Sequence, residues 1–312
     1  ATCAAAHVRT PVDASALSAV GVRKENVGMK TVKLAIAGVG NCASSLVQGI
    51  EYYRNRSAES AGLMNPEIGG YRIEDIRVVA AFDVDARKVG STVEQAIFAA
   101  PNNTTVFQRE IPVSGVTVAM GPIHDGIAKH MANYPADRTF VPANAEAVDV
   151  ARVLKETGAE VLICYLPVGS EKAVYHYAQA CLDAGVAMVN CIPVFIASHK
   201  EWAEEFKKRG LPIVGDDIKS QVGATIVHRS LARLVSDRGC RLERTYQLNT
   251  GGNTDFLNML EEERLKTKRV SKTESVQSQL ETRLSADNIH IGPSDYVPWQ
   301  KDNKVCFLRM EW

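Results

Sequence analysis

The sequence predicts an α/β protein: a Rossmann-type doubly wound parallel sheet followed by an α+β domain. Three observations carry this. A strand, a glycine turn and a helix succeed one another in TVKLAIAGVGNCASSLVQG, residues 31–49. Strand-like and helix-like runs alternate from Val161 to Leu234. Past Gly239, strand-like runs dominate and are separated by irregular sequence.

In chain order, residues 1–28 are rich in Ala, Ser and Val without sustained periodicity, and Met29 stands just before the first strand. We expect residues 1–31 to be a flexible tail, a leader or a remnant of processing. Val32, Leu34 and Ile36 alternate as in a half-buried strand, and Leu46, Val47 and Ile50 then recur at helical spacing. Between them, Gly38 permits a tight turn, Gly40 lets backbone approach a pyrophosphate, and Ala43 takes the small position where helix and strand pack. Asn41 and Cys42 open the helix, whose unpaired N–H groups would face phosphate. An incidental turn is the plainer reading, but a strand before and a helix after are the context that dinucleotide binding requires.

Arg77 to Asp83 reads as a second strand ending on a carboxylate able to accept hydrogen bonds from an adenosine ribose, which favours NAD over NADP. Alternatively Asp83 starts a turn with Asp85. Residues 92–141 are broken by Pro101, Pro112, Pro122 and Pro135. Helical spacing resumes at Val148–Leu154. Next come strand Val161–Leu166, helix Glu171–Ala184, strand Val186–Cys191, helix Phe195–Lys208, strand Leu211–Val214 and helix Val222–Leu234, the alternation of βαβ units. These strands end in Pro167, Gly169 and Ser170, in Asn190 and Pro193, and in Asp216 and Asp217, where open parallel sheets bind ligands. Any turn would also contain such residues. Further on we expect a strand over 241–249, a turn at 251–253, helices over 259–264 and 271–284, a final strand over 304–310, and antiparallel pairing among these strands. A boundary near Asp217 gives domains at 32–216 and 217–312.

The 36 basic residues balance the 36 acidic ones, and 46% of the chain is apolar. No global field recruits nucleic acid or an acidic membrane, and no apolar run approaches the ~20 residues of a membrane span. A cytoplasmic location is the expectation. The seven cysteines and seven histidines are scattered without metal-ligand spacing, so no structural zinc or disulfide framework is indicated. We expect most cysteines to be buried thiols, and His228 and His176 to be satisfied helix residues.

Three groups carry candidate chemistry, one of them Asn249-Thr250-Gly251-Gly252-Asn253-Thr254-Asp255. Gly215-Asp216-Asp217-Ile218-Lys219 places carboxylates and an ammonium where a nicotinamide ring would lie. Lys268 and Lys272 are four apart and share a face if that turn is helical. Together they could clamp a phosphate dianion, or one with a depressed pKa could act as base. A solvated basic face beside Glu262 and Glu263 is the alternative.

GDDIKSQVGAT (215–225), LNTGGNTDFLNM (248–259), SKT (271–273) and HIGPSDYV (290–297), with GVGNCASSLVQG (38–49) and YLPVGSE (165–171), resemble myo-inositol-1-phosphate synthase in the short form typical of actinobacteria and archaea. The resemblance runs from Val32 to the last residue. It implies an NAD-dependent isomerase-type lyase that turns glucose 6-phosphate into inositol 3-phosphate, the first step of inositol and phosphatidylinositol biosynthesis, working as a homotetramer. Oxidation at C5, enolisation at C6, aldol closure onto C1 and re-reduction would follow in turn. By motif, Asp217 matches the aspartate near the nicotinamide, Asp255 that of the glycine-asparagine motif, and Lys268 and Lys272 the pair of active-site lysines. Lys268 is assigned to proton transfer and Lys272 to phosphate or oxyanion stabilisation, with Lys219 a further cation. Arg309 stands about where longer forms carry a lysine. A divalent ion shared by Asp216, Asp217 and the substrate phosphate is the metal arrangement the sequence offers. The family continues past the final strand, which leads us to expect weak or no turnover from these 312 residues and an active synthase in an intact parent. A plain sugar-phosphate dehydrogenase, or a noncatalytic NAD-binding protein, are the competing readings.

Overall fold

The computed structural model describes residues 30–54, 56 and 61–312, so the expected tail lies outside the described residues except at its last two positions. Thr31–Trp312 forms one compact unit. Strand β1 (Val32–Ala37) leads through the glycine turn into α1 (Asn41–Arg54). A small hairpin, β2 (Glu67–Ile68) and β3 (Tyr71–Arg72), precedes β4 (Ile76–Asp83). Then follow α2 (Val93–Ala96), β5 (Val118–Met120), α3 (Val150–Thr157), β6 (Val161–Cys164), α4 (Glu171–Ala184), β7 (Ala187–Asn190), α5 (Lys200–Lys208), β8 (Ile213–Val214) and α6 (Ala224–Asp237).

Among the described residues, β5-β4-β1-β6-β7-β8 form one six-stranded sheet, parallel throughout. The chain builds outward from β1 to β4 and β5, then returns to β6 on β1's other side. That reversal opens a crevice at the carboxyl ends of β1 and β6. Both faces are covered. Ala35, Phe82, Leu162, Val174 and Tyr177 pack on one side, and Leu34, Ile36, Ala43, Val47 and Ile97 on the other. Each large apolar side chain so buried contributes roughly 1.5–3 kcal/mol. Strand β5 was concealed in the proline-broken stretch because it spans three residues at the sheet's edge.

The expected helix from Phe195 begins only at Lys200. The N–H groups of Ile196, Ala197 and Ser198 are taken by the Asp216 carboxylate, which holds this segment as a loop.

The remaining elements are β9 (Arg244–Gly251), α7 (Thr254–Asn258), α8 (Glu262–Gln277), β10 (Ile289–Tyr296) and β11 (Lys304–Glu311). Their sheet is mixed: β11 runs antiparallel to β9 and β10 parallel to it. This corrects the expectation of antiparallel pairing. Helix α8 lies between β9 and β10 in the chain and carries it back to the starting end, which parallel pairing demands. Two expected helices are likewise one: α8 runs through 265–270 unbroken, with no glycine or proline to stop it and Glu262 and Glu263 in its first turn. It ends where the Gln277 side chain accepts from Leu284 N and donates to Leu284 O.

Candidate active site

The glycine turn sits in the crevice. Gly38 adopts φ +92°, and a Cβ there would lie 2.8 Å from the Tyr165 carbonyl oxygen at the end of β6, so both the angle and the space require glycine. At Gly40 a Cβ would meet nothing within 4 Å; that open space fits the close approach of a pyrophosphate to the turn. Ala43 is wholly buried against the sheet. Asn41 makes a reciprocal pair with Asn103, its Nδ2 donating to Asn103 Oδ1 and its Oδ1 accepting from Asn103 N. Asp83 accepts from Val39 N at 2.7 Å and from Val84 N and Asp85 N. It thus ties down the glycine turn and opens the turn toward Asp85.

Other strand-end residues lie a layer behind. Asn190 is 1% exposed and is engaged through Val194 O, Asp216 Oδ1 and Ile192 N. Pro193 is buried and Pro167 half-buried. Ser170 is fully buried and accepts from Arg264 Nη2, while a Cβ on Gly169, at φ +82°, would lie 2.7 Å from Arg264 Cβ. Arg264 also donates to Val168 O and Asp125 O. These residues brace the loop that follows β6.

Asp217 and Lys219 meet as the spacing suggests. Lys219 Nζ donates to Asp217 Oδ2 at 2.6 Å, and Ser271 Oγ from α8 donates to the same oxygen at 2.6 Å. Lys219 also reaches Ser271 Oγ at 2.9 Å, closing a three-membered polar cluster around a residue held at φ +61°. Asp216 is spent, its two oxygens accepting from Asn190 Nδ2, Ile196 N, Ala197 N and Ser198 N. With Asp216 engaged and Asp217 already facing an ammonium, this pair does not fit a divalent cation. No other group of three or more His, Cys, Asp or Glu able to hold a metal occurs among the described residues.

Helix α8 presents Leu265, Lys268 and Lys272 at spacings of three and four, one stripe of its surface. Leu265 is buried, so the lysines extend an inward-facing stripe and are not the solvated face that their spacing allowed. Lys268 Nζ meets Asp255 Oδ2 at 3.2 Å. Burial pushes Lys268 down, but Asp255 and then Asp217 more than offset it, leaving its pKa above the ordinary value. Asp255 is lowered: Lys268, then Lys304, outweigh its desolvation. Lys272 goes the other way. Burial first, and then the neighbouring Lys268 charge, pull it down to about 8.

The turn and this cluster share one place. The Cys42 thiol is raised by burial and then by Asp255, with Lys304, Asp302 and Lys268 near enough to act on it as well. Asn103 Nδ2 donates to Gly252 O across the same gap. Sequence reasoning missed Ser271, Asn103 and Lys304. On β11 it is Lys304 that acts on Asp255 and Lys272, whereas Arg309 is 63% exposed and paired with Glu311. For Ser271 the SKT motif (271–273) carried a signal, and for Lys304 the DNK run (302–304) did.

The histidine expectation holds for His228, which is wholly buried between Gln247 and Thr245. The cysteine expectation holds in part. Cys164, Cys181 and Cys191 are buried, but Cys42 in the first turn of α1, Cys240 in the loop after α6 and Cys306 on β11 retain exposed surface. No helix among the described residues is long and apolar enough to cross a membrane.

Comparison with known proteins bears on the family. The profile of the family described as Myo-inositol-1-phosphate synthase matches residues 223–312. An inositol-3-phosphate synthase of Mycolicibacterium smegmatis is 54% identical over 286 residues, 90% of this chain and 77% of the relative. The crystal structure of Ari2 superposes with a TM-score of 0.70 at 37% identity, covering 90% of this chain and 76% of that one. A myo-inositol-1-phosphate synthase-related protein from Thermotoga maritima shares the fold, with a TM-score of 0.68 at 23% identity, 90% of this chain and 78% of that one. By its identity and coverage with the mycobacterial relative, the chain belongs to the myo-inositol-1-phosphate synthase family.

Proposed function

We propose that the chain converts D-glucose 6-phosphate to 1D-myo-inositol 3-phosphate (L-myo-inositol 1-phosphate) with NAD as a catalytic cofactor. The observation that carries this reading is the pair of inward lysines on α8. They are alike in residue type but opposite in electrostatic setting, and they stand beside the open glycine turn.

The turn residues Gly38, Gly40, Asn41 and Cys42 would hold the dinucleotide phosphates, with Asp83 accepting from the ribose. When bound, NAD supplies a reversible hydride acceptor, so the isomerisation has no net redox change. Lys272, drawn down to about 8, is the group able to take the proton of the C5 hydroxyl near neutral pH. Lys268 stays charged because Asp255 faces it, and it serves as a fixed cation for the substrate phosphate and the enolate oxygen. This reverses the assignment that the motif alone suggested, since a base must be neutral before it accepts a proton. Lys304 adds a second cation. Asp217, gripped by Lys219 and Ser271, orients the carbinol being oxidised.

The same reading divides the chain into a nucleotide-binding part, 32–216, and a catalytic part, 217–312. Homotetrameric assembly belongs to it too, supported by Val305, Phe307 and Trp312, which are exposed on or beside β11; sedimentation would measure it. A cytoplasmic location is the compartment that substrate and cofactor suggest.

Incubation with glucose 6-phosphate and substoichiometric NAD tests the activity. Several inositol phosphates per NAD, without NADH accumulating, are expected. Net NADH would instead indicate a sugar-phosphate dehydrogenase, and NAD binding without product a noncatalytic protein.

A further inference from the structure

Lys88 is 1% exposed and lies beneath the glycine turn. Its Nζ donates to Val39 O at 2.9 Å and to Asn102 Oδ1 at 2.8 Å, and it stands 3.9 Å from Asp83 Oδ2. Asn102 Nδ2 donates to the same Val39 carbonyl at 3.1 Å, and Asp83 Oδ2 accepts from Val39 N. Both peptide groups of the turn's central residue are therefore gripped from below, the N–H by an anion and the carbonyl by a cation and an amide.

Stability alone does not account for a lysine here. Replacing the ammonium together with its Asp83 partner by apolar groups of like volume is the kind of exchange that is often neutral or stabilising, although removing Lys88 alone would leave the Asp83 charge uncompensated. What an apolar side chain cannot supply is a positive charge behind the turn and a donor that keeps the Val39 carbonyl turned down and away from the phosphate side. A carbonyl released toward that side would repel a pyrophosphate.

We propose that Lys88 is a positioning residue for the dinucleotide: it holds the Val39 carbonyl beneath the turn and places a buried positive charge behind the pyrophosphate site. This rests on the reading that NAD binds at the glycine turn. Lys88 touches no ligand; it acts through Val39 and Asp83.

The test is Lys88→Met in the full chain, with NAD affinity measured by calorimetry and glucose 6-phosphate kinetics measured at saturating NAD. A hydrogen bond from a charged group is worth enough to predict an NAD affinity loss of about 10- to 100-fold. KM for NAD should rise in parallel, while kcat and KM for glucose 6-phosphate at saturating NAD stay within about twofold. Asn102→Ala, which removes a donor to Val39 O but leaves the charge, should lose less. Unchanged NAD affinity in Lys88→Met, or equal losses for both ligands, overturns the proposal. Should Lys88→Met fail to fold, Asp83→Asn with Lys88→Met is compared with Asp83→Asn alone. A further NAD loss of about tenfold or more is then expected, and equal affinity overturns it. An unmodified chain that binds no NAD overturns the dinucleotide reading and this proposal with it, whereas NAD binding that Lys88→Met leaves intact removes this proposal alone.

Discussion

Asp255 Oδ2 and Lys268 Nζ meet at 3.2 Å, and Lys272, one turn further along α8, has no ion pair among the described residues. That single pairing makes two neighbouring lysines chemically unlike. The paired ammonium is held charged, and the other, repelled by it and desolvated, sits at about 8.

If Lys272 is the base proposed above, activity should climb with pH through a limb near 8, because it accepts a proton only after losing its own. The pH profile of kcat/KM checks the direction. Lys272→Met should lower kcat by roughly 100- to 10,000-fold, the range for a lost general base. Lys268→Met should raise KM for glucose 6-phosphate and lower kcat while leaving the enzyme folded. A limb that falls through pH 8 would reverse the two assignments.

Ser271→Ala removes one donor from Asp217 Oδ2 while Lys219 keeps its contact. A charge-assisted hydrogen bond is worth about 1.5–3 kcal/mol, so kcat should drop by about tenfold or more with little change in melting temperature. Ser271→Thr keeps the hydroxyl and should restore most of the activity. Steady-state kinetics beside a thermal melt separates the two effects.

Gly38→Ala and Gly40→Ala should part company. At Gly38 the new Cβ meets a backbone carbonyl at 2.8 Å with φ at +92°, and strain of about 1–3 kcal/mol should appear as a lower unfolding midpoint in urea. At Gly40 the methyl meets nothing, so stability should hold while NAD affinity falls if the pyrophosphate approaches the turn there as proposed. Intact NAD binding in Gly40→Ala would move the phosphate elsewhere.

Burial holds the pKa of His228 below its ordinary value. The unfolded chain therefore takes up a proton near the usual pH of about 6.5, while the folded chain resists it. Stability should be level above that pH and fall below it. Urea unfolding at two pH values measures the slope, which should flatten in His228→Gln.

Much of the first sheet could be read directly. Val32 to Ala37 and Arg77 to Asp83 alternate or run apolar between punctuating residues, and helix Glu171–Ala184 was bounded to the residue, with Gly185 at φ +74° closing it. Elements failed where a distant group decided them. The 195–199 loop depends on Asp216, nearly 20 residues downstream, and β5 is held as an edge strand only by its pairing with β4. Lys304 was passed over for Arg309 because strand register, not spacing, decides which residue of β11 lies beside Gly251; Lys304 pairs there.

By itself the sequence determined the chemical inventory: a glycine turn after a strand, an aspartate ending the next, an Asp-Asp-x-Lys turn and two lysines four apart. Such patterns are local, set by backbone sterics and by residues within one helical turn of each other. Only the tertiary structure decided which of these groups meet. It spent Asp216 on backbone N–H groups, turned the α8 lysines inward, paired one of them with Asp255, and buried Lys88 beneath the turn. Burial and Coulomb interaction depend on distances between elements remote in the chain, and those distances exist only once the two sheets have packed.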